Sequence, residues 1–179
     1  MLKSAGAQVQ DATLPEGPWE AAAGTIISVE GASAFEKLIN SGGTLELNDP
    51  AGQVGGFVSQ TISGADFLKA MRVRAILMKK MDEMFTHYDV LACATLPVVS
   101  TPIDANLDEA LSFSDPIGGI GNACGLPALT VPCGFTSKKL PAGFLLVGPH
   151  FSEPTLVAAQ SAFQRETSFH KERPEEEWE

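Results

Sequence analysis

The sequence predicts an α/β fold in which helices cover part of a mixed sheet. Two observations carry this prediction. Apolar side chains recur every three or four positions through residues 64–87, which is typical of a long helix with one buried face. Short apolar runs at residues 89–94, 128–133 and 142–148 end next to Pro or Gly and are typical of buried strands.

The N-terminal part of the sequence predicts the end of one helix, a strand and a second helix. Residues 2–6 have the pattern of a last helical turn that Gly6 would cap, and residues 7–12 alternate like a strand. This start indicates a piece cut from a longer domain, although a short ragged N-terminus fits the same pattern. Residues 19–40 then have the apolar spacing of a helix, which the following glycine pair would end.

The remaining elements follow in order along the chain. Residues 41–63 predict a glycine-rich loop with room for a short helix, and residues 98–118 predict a second loop. The last two apolar runs, joined by a short polar turn, predict an antiparallel hairpin at the edge of a larger sheet. Ser152 is a good N-cap for the next helix, and residues 165–179 form a charged tail that we expect to be solvated.

Composition excludes several classes of protein. The chain has 179 residues, enough for one domain or for part of a larger one. Its net charge of −10 disfavours direct binding to nucleic acid or anionic lipid. Because it contains neither a bilayer-spanning apolar run nor a signal peptide, we expect no membrane partner and a cytoplasmic location. Its three cysteines form no CxxC motif, so the sequence predicts no disulfide framework and no zinc site.

Few residues of the sequence suit catalysis. A cysteine nucleophile needs a neighbouring base, usually His. Cys93 and Cys133 lie in apolar strand runs, where a free cysteine is usually inert, whereas Cys124 has a loop context. No Gly-x-Ser-x-Gly elbow, adjacent serine pair or glycine-rich phosphate loop occurs. We therefore predict no catalytic residue in this chain and no cofactor or metal.

Residues 122–148 carry the most informative motif. Asn122 is followed by Ala-Cys-Gly-Leu-Pro-Ala, then by a strand ending Val-Pro-Cys-Gly, then by a hairpin to Leu-Pro-Ala-Gly. Residues 151–153 read Phe-Ser-Glu, and residues 88–91 read Tyr-Asp-Val-Leu. In order and spacing these motifs resemble the C-terminal portion of the amidase signature family. Ala94 departs from that pattern, because the family usually has Pro there.

The resemblance implies the function of a longer parent protein. Family members hydrolyse carboxamides with a Ser nucleophile, a second Ser in a cis linkage and a Lys base. None of these can be placed on this sequence, so residues 1–179 would be the C-terminal portion of an amidase, supplying scaffold and pocket wall and inactive alone. The family also includes the A subunit of glutamyl-tRNA amidotransferase, and a non-catalytic domain that binds a partner is a third possibility. Strands left uncovered by the absent portion would favour self-association.

The resemblance also implies a substrate-binding segment. In the related transamidase subunits an Asp seven positions before the motif Asn helps to bind substrate, and Asp115 occupies that position here. We expect Asp115, Gly118, Gly119 and Asn122 to line the pocket for a small amide substrate. The glycines would leave room for a ligand beside the backbone. A turn formed by Asp115 and the following Pro116 is the structural alternative for this carboxylate.

Overall fold

The computed structural model describes residues 2–173, apart from the side chains of residues 107 and 108. It confirms the predicted α/β class. The α-helices are α1 (Trp19–Ala34), α2 (Glu36–Asn40), α3 (Pro50–Ser59), α4 (Gly64–Met84), α5 (Leu107–Ala110), α6 (Pro116–Cys124) and α7 (Glu153–Arg165). The strands are β1 (Leu91–Ala94), β2 (Ala128–Phe135) and β3 (Pro141–Val147).

The chain divides into two compact units, which are described separately below. The first, called the sheet unit, contains the residues up to Leu14, the segment Asp82–Asp115 and the residues from Gly125 onward. The second, called the helical unit, contains Pro15–Met81 and Pro116–Cys124. Within the described part of the chain, no helix is long and apolar enough to cross a membrane.

The sheet unit is organised around β3. The strand order is β1-β3-β2 and both pairings are antiparallel, so the predicted hairpin is confirmed with β3 in the middle of these three strands. The register of β2 shifts at Cys133, because Pro132 lies opposite Gly143 and Gly134 lies opposite Ala142. Such a bulge bends the strand and increases its twist.

One side of the sheet carries the core of this unit. Val131 and Leu146 from the strands pack with Leu156 and Phe163 from α7, and all four side chains are buried. The ring of Phe144 meets that of Phe163 edge to face, with ring centroids 4.8 Å apart. The regular apolar spacing of α7 therefore serves the sheet, since it presents one apolar face to β2 and β3.

The strands of the sheet unit are covered unevenly in this structure. In β1, Leu91 is buried but Ala92 and Ala94 are exposed. In β2, Val131 is the buried residue, and its neighbours are exposed or half-buried. An apolar run shows that a strand can be covered on both sides, but only the neighbouring elements decide whether it is.

The N-terminal residues keep the predicted cap but not the predicted strand. Gly6 has a φ of 93°, and the N–H of Ala7 donates to the carbonyl of Leu2 over 3.0 Å while the N–H of Gly6 donates to Lys3 over 3.1 Å. This pair of bonds is a Schellman motif, which ends a helical turn. Residues 7–12 are irregular, because alternation makes a strand only where a partner strand supplies a ladder.

The C-terminal residues are partly anchored. Residues Phe169–Lys171 form a short 3₁₀ turn, and the ring of Phe169 meets that of Phe135 edge to face at 6.4 Å between centroids. Phe169 therefore packs beside the core cluster rather than in solvent. Residues 174–179 of the predicted charged tail lie outside the described residues.

The helical unit begins as predicted at Trp19 but differs from its prediction after α1. The predicted helix over residues 19–40 is two helices, separated at Phe35, whose φ of −103° and ψ of 19° leave the helical region. The predicted loop over residues 41–63 contains α3. Asp49 caps α3, because its carboxylate accepts from the N–H groups of Ala51 at 3.2 Å and Gly52 at 2.7 Å. Glycines hid this helix, since they weaken helical patterns.

The long helix α4 was predicted nearly to its ends. The hydroxyl of Ser63 accepts from the N–H of Asp66 at 3.1 Å and donates to its carboxylate at 2.7 Å, so it caps the first turn. Leu77 and Met81 are almost fully buried on its inner face. Met81 therefore packs as a core residue, a role that its flexible thioether side chain suits.

The helix α7 begins where predicted but without the predicted cap. The side chain of Ser152 makes no capping hydrogen bond. Its hydroxyl is buried without a partner among the described residues and lies over Gly148, where a larger residue would collide with it. The close contact between Ser152 and Gly148 therefore accounts for the position of this hydroxyl. The preference of serine for N-cap positions could not reveal that contact.

Candidate functional site

Asp115 ends the sheet unit and immediately precedes α6. It is half-buried, and its negative charge acts on Cys93 in β1. Burial raises the pKa of the Cys93 thiol, and the nearby Asp115 carboxylate raises that pKa further. Both effects disfavour the thiolate, because burial and a like charge each penalise the ionised form. Cys93 is thus a protonated thiol beside Asp115 and unsuited to nucleophilic attack at neutral pH.

The other three predicted site residues lie in α6, not in a loop. The predicted loop over residues 98–118 ends at Pro116, where a helix with a clear inner face begins, and the loop context predicted for Cys124 is wrong. Ile117 and Ile120 are buried on that face, whereas Asn122 is exposed and Gly118 and Gly119 are half-buried. Three glycines in this stretch mask the helical spacing of the apolar residues, which was the signal available in the sequence.

Gly119 allows a close approach between α1 and α6. A Cβ built on Gly119 would lie 3.0 Å from Cγ and 3.4 Å from Cα of Glu20. A larger residue would therefore fit here only if Glu20 moved by a few tenths of an ångström, so glycine suits this position. Glu20 lies beside the glycines of α6, which sequence reasoning missed because it stands in the first turn of a different helix.

Arg74 fixes the C-terminal end of α6. Its guanidinium Nε donates to the backbone carbonyl of Ala123, one residue before the helix ends. A cation is favourable here, since the last carbonyls of a helix are unpaired and carry partial negative charge. Arg74 stands among the regularly spaced apolar residues of α4. A charged residue in such a pattern was the sequence signal that its side chain has a polar partner. By holding the last turn of α6, it also positions Asn122.

A turn after α6 leads into β2. Gly125 has a φ of 69°, the left-handed conformation that glycine adopts at little cost. The carbonyl of Pro127 then accepts from the N–H of Gly148 at 3.1 Å, which joins the start of β2 to the end of β3. Further along, Gly143 permits a close contact, since a Cβ there would lie 3.0 Å from Thr95 Oγ1 and 3.1 Å from Thr130 Cγ2.

The cysteine alternative loses its best candidate. Cys124, which the sequence places in a loop, is buried in the last turn of α6. A buried, apolar setting suits a packing residue rather than a nucleophile. Among the residues that the structure describes, no three His, Cys, Asp or Glu side chains come together as metal ligands.

Comparison with known proteins places these features in one family. Residues 2–157 match the family model described as Amidase. The chain is 40% identical over 113 residues to the A subunit of the glutamyl-tRNA(Gln) amidotransferase of Moorella thermoacetica, and 39% identical over 112 residues to that of Chloroflexus aurantiacus. Each alignment covers 62% of this chain and 23% of the relative, so the chain spans about a quarter of these relatives' length.

Solved structures show the same fold. A structure described as an amidase aligns with 92% of this chain and 39% of its own, with a TM-score of 0.80 and 17% identity. The structure of 6-aminohexanoate cyclic dimer hydrolase aligns with 97% of this chain and 40% of its own, with a TM-score of 0.73 and 17% identity. A bacterial aryl acylamidase of the same signature family has a TM-score of 0.68 and 19% identity, over 95% of this chain and 40% of its own.

Proposed function

The chain belongs to the amidase signature family, and from that premise we propose that it forms the C-terminal portion of an enzyme that hydrolyses carboxamide bonds. The observation that carries the proposal is the family match over residues 2–157, which includes both units of the structure. The alignment covers only 23% of the relative's length. This supports the view that the rest of the enzyme contributes other parts of the site.

The proposed chemistry is acyl transfer to a serine that this chain does not contain. In the complete enzyme the serine oxygen attacks the amide carbonyl, its proton passes through a second serine and a lysine to the leaving nitrogen, and the C–N bond breaks. Water then hydrolyses the acyl-enzyme and restores the serine hydroxyl. Backbone N–H groups stabilise the oxyanion in both steps. This chain supplies scaffold and pocket wall.

The pocket wall is proposed to consist of Asp115, Gly118, Gly119 and Asn122. The half-buried carboxylate of Asp115 is suited to bind an amino or hydroxyl group of the substrate by a charge-assisted hydrogen bond. Asn122 is exposed on α6, whose last turn is held by Arg74, so its amide is presented from a rigid element. Glu20 of α1 lies next to Gly119, so the base of its side chain borders this segment.

The test compares Asp115→Asn and Asp115→Ala in the complete enzyme on a matched pair of polar and apolar amides. Loss of a direct charged hydrogen bond costs about 1.5–3 kcal/mol, which is roughly a ten- to hundred-fold fall in kcat/KM. The fall should be confined to the polar substrate, since only that substrate loses a partner. Asp104→Asn, an exposed carboxylate in the preceding loop, is the matched control.

Two results bear on this proposal separately. Equal kinetic losses on both substrates would show that Asp115 does not recognise the substrate, while leaving the amidase assignment intact. Turnover of simple aliphatic or aryl amides by the purified 179-residue chain alone would contradict the view that the catalytic groups lie outside it. We expect no such turnover.

Membership of a glutamyl-tRNA amidotransferase is the second candidate, and the identity of the curated relatives favours it. In that case the amide would be glutamine, and the released ammonia would pass to another active site. The net charge of −10 disfavours direct contact of this chain with tRNA. A substrate panel separates the candidates, because the second one requires hydrolysis of glutamine in preference to simple aliphatic and aryl amides.

We further propose a cytoplasmic location and self-association of the isolated chain through apolar surface of the sheet unit. Supporting residues are Leu96, Phe135 and Phe151, whose side chains are 47%, 44% and 92% exposed. Exposed apolar patches and free strand edges drive association. Light scattering should detect oligomers that bind a hydrophobic dye. A monodisperse monomer without dye binding would contradict this proposal.

A further inference from the structure

The helix α6 is weak as an isolated helix. It has nine residues, fewer than the roughly 12 that an isolated helix needs to be stable in water. Three of the nine are glycines, each of which lowers helical stability relative to alanine. The sequence of α6 also contains no charged residue that would interact favourably with its own helix dipole. Its conformation therefore depends on contacts with neighbouring helices of the helical unit.

Apolar packing holds one side of α6 and leaves the other side free. The buried residues of this inner side are Ile117, Ile120, Ala123 and Cys124. Asn122 lies on the exposed side, in the last turn. Because the hydrophobic effect is non-directional, burial of the inner side does not by itself keep that last turn in one hydrogen-bonded form.

Arg74 supplies a directional contact to the same turn. Its guanidinium Nε donates to the carbonyl of Ala123, the residue that follows Asn122, from a position 49 residues earlier in the chain. Arg74 lies between Ala70 and Leu77 on the inner face of α4, a helix of 21 residues, so the donor is itself firmly placed. The bond satisfies a carbonyl at a helix end, where no intrahelical partner is available.

We propose that Arg74 is a positioning residue for substrate binding, which rests on the proposed place of Asn122 in the pocket wall. By holding the Ala123 carbonyl, Arg74 keeps the last turn of α6 in the form that presents the Asn122 amide to the substrate. That amide can donate and accept, so it can pair with the carbonyl or the amino group of a small amide. Without the bond, the turn would have to be ordered each time the substrate binds, which weakens binding.

The first test uses two substitutions of matched length in the complete enzyme. Arg74→Gln keeps an N–H donor, Nε2, at the place along the side chain that Nε occupies, whereas Arg74→Met has a methyl group there. Both substitutions remove the charge, and glutamine and methionine have similar helix propensities, so α4 should be affected equally. The two variants therefore differ in the donor alone.

The expected result is a change in KM rather than in kcat. With an amino-substituted aliphatic carboxamide as substrate, Arg74→Met should raise KM roughly two- to tenfold, the value of one neutral hydrogen bond. The value of kcat should change less than about twofold, because the lost interaction contributes equally to the ground state and the transition state. Arg74→Gln should restore most of the KM. Arg72→Met, an exposed change on the same helix, should leave both constants unchanged.

A double-mutant cycle tests whether Arg74 acts through Asn122. Asn122→Ala should raise KM by a similar factor, and adding Arg74→Met to it should raise KM no further, because the positioned amide is already absent. A residue that only stabilised the fold would give two factors that multiply. Circular dichroism should show that every variant is folded at the assay temperature. Arg74→Leu, which also has no donor, replaces Arg74→Met if that variant is not folded.

Three results would overturn the proposal. Equal KM values for Arg74→Gln and Arg74→Met, with a raised value for Asn122→Ala, would remove the role of the donor and leave Asn122 in the pocket wall. Factors that multiply in the double variant would show that Arg74 acts on the whole fold rather than through Asn122. An unchanged KM in Asn122→Ala would contradict the pocket-wall role itself, whereas turnover by the unmodified complete enzyme in the same assay tests the amidase assignment independently.

Discussion

The two units of this protein bury their apolar side chains to different extents. In the sheet unit, Val131, Leu146 and Leu156 are at most 2% exposed and pack as one cluster. In the helical unit, Ile27 is 60% exposed and Phe35 is 62% exposed. The difference follows from the elements available. Three paired strands and one amphipathic helix can enclose a core that consists of few residues. Short glycine-rich helices leave some of their apolar side chains exposed.

The buried and the exposed apolar residues are expected to have different roles. The cluster of the sheet unit consists of large residues whose contacts lie within that unit. In the helical unit, Leu77 and Met81 of α4 are buried, yet Ile27 and Phe35 are exposed. Stability is therefore expected to depend on the buried residues rather than on these exposed apolar side chains.

The largest expected effect tests this division directly. Leu146→Ala should lower the free energy of unfolding by about 2–5 kcal/mol, because the residue is 1% exposed and its removal leaves a cavity. Ile27→Ala, in the helical unit at 60% exposure, should change it by less than about 0.5 kcal/mol. Denaturant titration measures both values. Similar losses for the two variants would show that Ile27 is part of a core.

A smaller loss is expected where one hydrogen bond holds α6. Arg74→Ala should cost about 1.5–3 kcal/mol, since the Ala123 carbonyl loses a charged donor. Arg72→Ala, an exposed change on the same helix, is the control and should be nearly neutral. Thermal unfolding followed by circular dichroism compares them. If both variants unfold alike, the contact to α6 contributes nothing to the helical unit.

Two glycine-to-alanine substitutions, one in each unit, should change the free energy of unfolding in opposite directions. Gly143→Ala should destabilise the sheet unit by about 1–3 kcal/mol, because its Cβ would crowd Thr95 and Thr130. Gly24→Ala should stabilise α1 by about 0.5–1 kcal/mol, since its Cβ meets nothing within 4 Å. Unfolding free energies at one temperature test the pair. A gain at Gly143 would mean that the sheet relaxes more easily than its contacts indicate.

The smallest effect concerns ionisation rather than stability. Burial is the larger cause that raises the pKa of Cys93, and the charge of Asp115 raises that pKa further. Less of the reactive thiolate is therefore present at a given pH. Asp115→Asn removes the second cause, which lowers the pKa and should speed alkylation of Cys93 at pH 8. Mass spectrometry of the Cys93 peptide gives the rate, with Asp104→Asn as control. An unchanged rate would place Asp115 too far away to act on this thiol.

The outcome of the sequence predictions depends on whether each signal is local. The helix α4, the hairpin of β2 and β3 and the start of α7 were predicted, because apolar spacing, a polar turn and a proline near the first helical residue act over neighbouring positions. The helix α6 was missed, and α3 was expected only as a short helix without bounds inside a loop. Their glycines weaken helical propensity, whereas packing and a cap at Asp49 supply the stability.

The candidate site also shows that local sequence patterns do not predict contacts between distant side chains. Asp115, Gly118, Gly119 and Asn122 were chosen from a motif and stay a proposal for the complete enzyme. The contact of Gly119 with Glu20 and that of Arg74 with Ala123 join residues far apart in the chain, so no local pattern contains them.

By itself the sequence determined the α/β class, the family and the order of the main elements, because motif order, periodicity and turn residues are local properties. Only the tertiary structure decided which faces are covered. Burial of Val131, exposure of Phe35 and the neutral thiol of Cys93 each depend on which distant atoms lie within a few ångströms. Dispersion contacts and desolvation act at that range, so their effect appears only once the chain is folded.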